Sequence, residues 1–286
     1  MDKRVGAAEL SGTLYVVATP IGNLEDMSYR AVRILSEVAL IAAEDTRHSR
    51  RLLDHYNIRS RLISCHEHNE QERSAELVSR LQAGEDVALI SDAGTPAIAD
   101  PGYRLVRACR KAGVNVACVP GCNAMVAALS ISGLPTDNFR FAGFLPSKRG
   151  ARQKVIESFA SADHTLVFYE TPHRLLAALA DLQKIVGAER EIAVGRELTK
   201  KHEELFLGTI AAALEHFTQK TVKGELVLML AAGEKEMPQE SVEDSLQRLH
   251  NESDLSWKEI VRQVAKYHGL PGSEVYALSL SLRKKG

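Results

Sequence analysis

The stretch Asp86-Val-Ala-Leu-Ile90, Ser91-Asp-Ala-Gly-Thr-Pro96, Asp100-Pro-Gly102, a helical run over 102–111 stopped by Gly113, and Val114-Asn-Val-Ala-Cys-Val119 decides the fold. A short apolar run, a loop punctuated by Gly and Pro, an amphipathic stretch and a second apolar run make a strand–helix–strand unit. The alternation continues upstream, with apolar runs at 14–18, 38–43 and 61–65 and helical stretches over 27–37, near 49–56 and over 72–81, the last ended by Gly84. Downstream, residues 124–131 form a helix stopped by Gly133. Strands spaced by helices in this way predict a parallel sheet covered on both faces.

Past Leu134-Pro135 the texture changes. Runs at 139–144, 165–169, 191–194, 204–207 and 225–230 read as strands, and 152–160, 173–186 and 209–217 as helices. Only residues 196–203 separate two of these strands, which predicts a hairpin and a mixed sheet. Residues 232–240, with Lys235, Met237 and Pro238, form a polar linker. Helices then fit 242–250, 257–267 and 273–282, the second opened by the capping box Ser256-x-x-Glu259 and followed by the turn Gly269-Leu-Pro-Gly272. This is the outline of a helix-turn-helix, a shape used for packing as well as for nucleic-acid contact. The expected class is α/β: a parallel-sheet domain at 12–122, a mixed-sheet domain at 123–232 and a helical C-terminal segment at 241–286.

Composition bounds the function. The 286 residues are 45% hydrophobic and 26% charged, ample for a packed core. Lysine and arginine number 36 against 37 acidic residues, which disfavours a protein that coats nucleic acid non-specifically. No apolar run approaches the ~18 residues of a membrane span. The first residues carry Asp2, Lys3, Arg4 and Glu9 and lack the apolar core of a secretory signal, so a cytoplasmic location is expected. Cys65, Cys109, Cys118 and Cys122 contain no C-x-x-C pair and read as reduced, partly buried thiols.

Open α/β sheets bind ligands beyond the carboxyl ends of their strands. Here those ends carry Thr19-Pro20-Ile21-Gly22-Asn23, Glu44-Asp45-Thr46-Arg47, His66-Glu67-His68-Asn69, Ser91-Asp92-Ala93-Gly94-Thr95 and Pro120-Gly121-Cys122-Asn123. Turn chemistry explains the Gly and Pro but not the accumulated Glu, Asp, Arg and His, so a cleft at this edge is the expected site. G-x-G-x-x-G and the P-loop are both missing, which points away from dinucleotides and nucleoside triphosphates. Short glycine turns let backbone approach a ligand, free amides near Asn123 suit a carboxylate, and Asp92 suits a hydroxyl or cation. The mixture fits a zwitterionic, nucleoside-like ligand.

Seven motifs recur in one order: Thr19-Pro-Ile-Gly-Asn-Leu24, Ala43-Glu-Asp-Thr-Arg-His48, Ser91-Asp-Ala-Gly-Thr-Pro96 with Asp100-Pro-Gly102, Val119-Pro-Gly121, Phe168-Tyr-Glu-x-Pro-His-Arg174, Arg196-Glu-Leu-Thr-Lys200 and Lys223-Gly-Glu225. Together they resemble the ribosomal RNA small-subunit methyltransferase I family, of the tetrapyrrole-methylase superfamily. The match covers about residues 14–230 plus the helical tail. The first loop departs from the G-x-G-P-G of the corrin and porphyrin members, towards the rRNA branch. The resemblance implies S-adenosylmethionine in a cleft between two α/β domains, a homodimer, and methylation of a cytidine ribose 2′-hydroxyl in the decoding centre of 16S rRNA within the 30S subunit. It places Pro20, Ile21, Gly22, Asp92, Ala93, Gly94, Thr95, Gly121, Cys122 and Asn123 around the cofactor, with Tyr169, Gly224 and Leu226 closing the site. Asp100 joins this set, or else caps the helix near Gly102.

A ribose hydroxyl is a poor nucleophile at neutral pH, so a base or acceptor should assist it. The candidates are Glu44, Asp45 and His66, with Arg47 to hold a phosphate. The Glu-Asp pair equally fits a helix cap beside a solvated acid. His66 and His68 lack the spacing of a zinc helix, and no metal is expected. Lys148, Arg149, Arg174 and Lys200 are the RNA-contact candidates, Lys148 and Arg149 because their loop can overhang the cleft. Basic runs at Arg50-Arg51, Arg104 to Lys111 and Arg283-Lys284-Lys285 fit solvated faces as well. A tetrapyrrole or protein acceptor, or a non-catalytic RNA-binding module, are the competing readings.

Overall fold

The computed structural model describes residues 11–233, 240–253 and 255–283. The charged N-terminal residues Asp2 to Glu9, most of the 232–240 linker, and Lys284 and Lys285 lie outside them. The described residues up to Gly233 form one compact unit, and those from Glu240 onward form a second.

Five short strands build the first sheet: β1 (Thr13–Val17), β2 (Leu40–Ala43), β3 (Arg61–Ser64), β4 (Val87–Ile90) and β5 (Asn115–Val119). All pair in parallel, in the order β3-β2-β4-β1-β5. The four residues of β2 and of β4 are buried throughout, as strands covered on both faces must be. Helices α1 (Tyr29–Glu37) and α2 (Thr46–His55) cover one face through Ile34, Leu35 and Leu53. On the other face, α3 (Glu70–Gln82) and α4 (Tyr103–Lys111) insert Leu77, Leu81, Leu105 and Cys109. The chain leaves β1 towards β2 and leaves β4 towards β5, so the direction of winding reverses between the adjacent strands β1 and β4. The crevice at that reversal is where ligands of open α/β sheets bind.

Helix α5 (Ala124–Ile131) leads to the second sheet, β6 (Phe139–Phe144), β7 (Thr165–Glu170), β8 (Glu191–Arg196), β9 (Glu204–Thr209) and β10 (Leu226–Leu230). Its order is β6-β7-β10-β8-β9, with β6 and β7 parallel and the remaining pairs antiparallel, β8 and β9 forming the expected hairpin. Helices α6 (Arg149–Glu157), α7 (Pro172–Val186) and α8 (Ile210–Thr218) cover one face around the fully buried Phe168 and Phe217. The other face packs Val167, Ala193, Val227 and Met229 against α5 and against Ile21 from the first sheet's own loop. This shared core is why two sheets, read from sequence as two domains, make one compact unit.

In the second unit, α9 (Val242–Glu252), α10 (Trp257–His268) and α11 (Gly272–Arg283) enclose a core of Leu246, Ile260, Val264 and Val275. The capping box of Ser256 and Glu259 is formed, and Gly269 ends α10 in the left-handed region at φ 65°. Cys65 and Cys109 are buried, whereas Cys118 is exposed, because β5 is an edge strand. Among the described residues, no helix is long and apolar enough to cross a membrane.

Candidate active site

A cavity of about 380 Å³ lies at the reversal between β1 and β4. Thr19 and Gly94 join the two strand ends, exchanging backbone hydrogen bonds of 2.9 and 3.0 Å. Ile21 and the run Asp92, Ala93, Gly94 and Thr95 line the cavity beyond this bridge. Thr95 Oγ1 donates to the Cys122 carbonyl (3.0 Å), tying the loop after β4 to the loop after β5. Between Gly94 and Gly102, Ala97 (φ 67°) and Ala99 (φ 62°) both occupy the left-handed region. Such conformations cost about 1–2 kcal/mol each in an L-residue and persist where the surroundings over-determine them.

Asp100, at the end of this loop, lines the cavity and does not cap α4. The N-cap of that helix is Gly102, and the cap comes from the buried Glu70 on α3. Glu70 Oε1 accepts from the amides of Gly102, Arg104 and Leu105 at 3.0, 2.8 and 3.2 Å. Burial, with the Glu44 carboxylate next in weight, pushes the Asp100 carboxyl up to about 6. Glu44 also lines the cavity and is raised by burial and by Asp92. Asp92 Oδ1 accepts from the Asp45 amide (3.1 Å), which fixes it beside the end of β2.

Asp45 itself faces elsewhere. It is the N-cap of α2, accepting from the Arg47 amide (2.8 Å) and binding the Arg47 guanidinium at 3.0 Å. The Arg47 side chain holds its carboxyl down to about 2, a poor proton acceptor at neutral pH. Neither residue lines the cavity, and the Arg47 side chain is 91% exposed. His66 is also outside the lining, with its amide on Asn69 Oδ1 (2.8 Å) and its Nδ1 buried without a partner among the described residues. No group of three His, Cys, Asp or Glu among the described residues is placed to hold a metal.

At the α5 end, the amides predicted free are partly taken. Asn123 Oδ1 caps Val126 (3.2 Å), and the Met125 amide donates to the Tyr169 hydroxyl (3.3 Å). Asn123 lines the cavity, and Gly121 and Cys122 stand outside the lining. A Cβ at Gly121 would lie 3.0 Å from Ala18 Cβ, so the loops after β1 and β5 approach closely here. Pro20 and Gly22 likewise stand outside the lining. At Gly22 an added Cβ would fall 2.3 Å from Lys200 Cγ, because the Lys200 stem crosses this turn.

The second sheet supplies the other wall. Of Tyr169 and the 223–226 stretch, Tyr169, Gly224, Glu225 and Leu226 line the cavity, joined by residues not singled out in the sequence: Phe144, Glu170 and Leu198 from this half, with Ile98 and Ala99 from the first. The Glu170-Thr-Pro172 segment was visible as part of a motif, but which of its residues turn inwards depends on where α7 starts. Gly224 sits at φ 91°, with Glu197 so close that a Cβ would overlap its carboxyl.

Lys200 bridges Glu197 (2.8 Å) and Glu225 (2.9 Å). Arg174 pairs with the buried Glu170 (3.1 Å) and donates to the Leu145 carbonyl. These two of the four RNA-contact candidates thus have internal partners. Arg149 reaches Asp181 (3.3 Å) but stays 72% exposed, and Lys148 is exposed at the N-cap of α6. Five carboxyl groups (Glu44, Asp92, Asp100, Glu170 and Glu225) surround one partly apolar cavity. Arg174 and Lys200 offset Glu170 and Glu225, and the remaining three, Glu44, Asp92 and Asp100, suit a ligand with a cationic centre such as a sulfonium.

The family model for tetrapyrrole (corrin/porphyrin) methylases matches residues 13–214. A Synechocystis protein, ribosomal RNA small subunit methyltransferase I, is 48% identical over 96% of this chain and 100% of its own. Its Pseudomonas aeruginosa namesake is 50% identical over 81% of this chain and 83% of its own. Among solved structures, diphthine synthase aligns with a TM-score of 0.61 at 14% identity, over 77% of this chain and 90% of that one. Uroporphyrin-III C-methyl transferase from Thermus thermophilus, complexed with S-adenyl homocysteine, aligns with a TM-score of 0.55 at 19% identity, over 76% and 97%. These structures share the fold.

Proposed function

Because the chain belongs to the ribosomal RNA small subunit methyltransferase I family, we propose that it methylates the 2′-hydroxyl of a cytidine in the decoding centre of 16S rRNA, using S-adenosylmethionine and acting on the assembled small subunit. The observation that carries the chemistry is the carboxyl pair Asp100 and Glu44, both raised, inside a cavity whose remaining lining suits a nucleoside with a cationic centre. When bound, S-adenosylmethionine would supply an electrophilic methyl carbon, with its sulfur as the leaving group that keeps the electron pair of the C–S bond. Asp92, Ala93 and Thr95 on one wall and Tyr169, Gly224 and Leu226 on the other would hold it. The chain's task is then to align the hydroxyl and take its proton.

Asp100 is assigned as the proton acceptor, with the nearby Glu44 charge raising its proton affinity. A carboxyl at about 6 is ionised at neutral pH yet far more basic than a solvated carboxylate. Asp45 and Arg47 shape the start of α2, and His66 acts on Glu44 through its charge when protonated. Lys148 and Arg149 supply cations beside the cleft for phosphate. With near-balanced overall charge, recognition leans on the shape of the folded particle. A cytoplasmic homodimer completes the reading.

The test incubates the protein with radiolabelled S-adenosylmethionine and, in parallel, unmodified 30S subunits, free 16S rRNA and a tetrapyrrole precursor, mapping label by nuclease digestion and mass spectrometry. A methyl on one cytidine ribose of the 30S subunit is expected. Label on the tetrapyrrole alone, or on no RNA despite cofactor binding, would sink the assignment.

A further inference from the structure

Strand β6 contains one irregularity, and it falls at the cavity. Phe139, Arg140 and Phe141 pair in step with Thr165, Leu166 and Val167 of β7, but the next pair is Phe144 with Tyr169. Three residues of β6 thus span two of β7, a bulge of one residue. Strict alternation would send Phe144 to the face of Arg140 and Ala142; the extra residue returns it to the face of Phe141 and Tyr169. Gly143 makes this possible at φ 65°, and a Cβ there would meet nothing within 4 Å, so backbone conformation and not space calls for glycine. The Phe141 and Phe144 rings meet Tyr169 edge-on, at centroid distances of 4.8 and 5.7 Å.

The bulge therefore delivers a ring to the cavity wall, where Phe144 stays 50% exposed. Core packing would have covered it. A half-exposed ring in the cavity lining offers a flat apolar surface, and the exposed Lys148 and Arg149 follow it closely in sequence. From the first sheet's half, Ile98 lines the same cavity and is 40% exposed, between the left-handed Ala97 and Ala99.

We propose that Phe144 is the stacking platform for the base of the acceptor nucleotide, with Ile98 contributing apolar surface from the other half and Lys148 and Arg149 the flanking phosphates. This rests on the rRNA reading above and extends it to a positioning residue. A base taken out of its helical stack needs an aromatic or apolar face to replace its lost neighbours, and such a platform sets where its ribose comes to rest. The carboxyl group that receives the proton lines the opposite wall.

The experiment uses the full chain with 30S subunits as acceptor and compares Phe144→Leu, which keeps apolar bulk, with Phe144→Trp, which keeps a ring. Phe144→Leu should lower kcat/KM for the 30S subunit roughly tenfold or more, mainly through KM. S-adenosylmethionine affinity by calorimetry should stay within about twofold, and Phe144→Trp should recover most of the activity. An unchanged KM for the acceptor in Phe144→Leu overturns the platform. A loss that follows weakened S-adenosylmethionine binding overturns it as well, since the ring would then serve the cofactor. If the wild-type protein transfers nothing to RNA, the rRNA reading falls and takes the platform with it, a failure seen before any variant is compared.

Discussion

Glu70 is 4% exposed, and one of its oxygens accepts three backbone amides at the start of α4. That start has no cap of its own. A Cβ at the N-cap Gly102 would fall 2.8 Å from Leu89 Cδ2, at φ 131°, so no Ser, Thr, Asn or Asp fits there. Glu70→Ala strands three amides, two of them in buried residues; at about 1 kcal/mol or more each, the loss is about 3 kcal/mol or more. Glu70→Gln retains an acceptor oxygen and forfeits only the charge facing the helix N-terminus, about 1 kcal/mol. At roughly 2–4 °C per kcal/mol, Glu70→Ala should lower Tm by about 6–12 °C and Glu70→Gln by about 2–4 °C. Calorimetry or far-ultraviolet circular dichroism should be the probe, because the single tryptophan, Trp257, belongs to the helical second unit. Cofactor affinity should fall alongside, since Asp100 stands two residues before Gly102. Equal losses in the two variants, or a Glu70→Ala loss below about 1 kcal/mol, would refute the three-amide reasoning.

Asp100 sets a pH dependence of definite sign. Its carboxyl titrates at about 6 in the folded protein and near 3.9 when unfolded, so the native state holds the extra proton between those values and stability falls as pH rises through that window. Asp100→Asn should therefore raise Tm at pH 7.5, lose this advantage below about pH 4, and abolish the rise of kcat around pH 6; a Tm gain that is the same at pH 4 and pH 7.5 would contradict it. Asp45→Ala should cost about 1 kcal/mol in a urea melt, as loss of a helix cap, and leave kcat within a few-fold. Glu44→Gln should do the reverse, and single-turnover methyl transfer would expose the opposite ordering if Asp45 were the base.

Most elements could be located by periodicity because burial on both faces leaves short apolar runs, as in β2 and β4, and because glycines end the helices between them. The register irregularity in β6 could not be read, since Phe139-Arg-Phe-Ala-Gly-Phe144 looks like an alternating strand until it is paired with β7. The α4 cap was equally hidden. Asp100 was the near-sequence candidate, and the group that does the capping, Glu70, lies 32 residues from Gly102 on another helix.

Sequence alone determined the class of fold, the hairpin, the C-terminal helices and the edge of the first sheet where acids and turns accumulate, because local propensity and spacing carry that information. Tertiary structure decided which of those acids share a cavity. Glu44 and Asp45 are neighbours in the chain, yet one is drawn inside beside Asp92 and Asp100 while the other is turned out to cap α2. Lys200, legible as an RNA-binding cation, lies across Gly22 between two carboxylates. Successive side chains at a strand end diverge, and partners distant in sequence set their surroundings, so proton affinity and contact emerge only when the chain is folded.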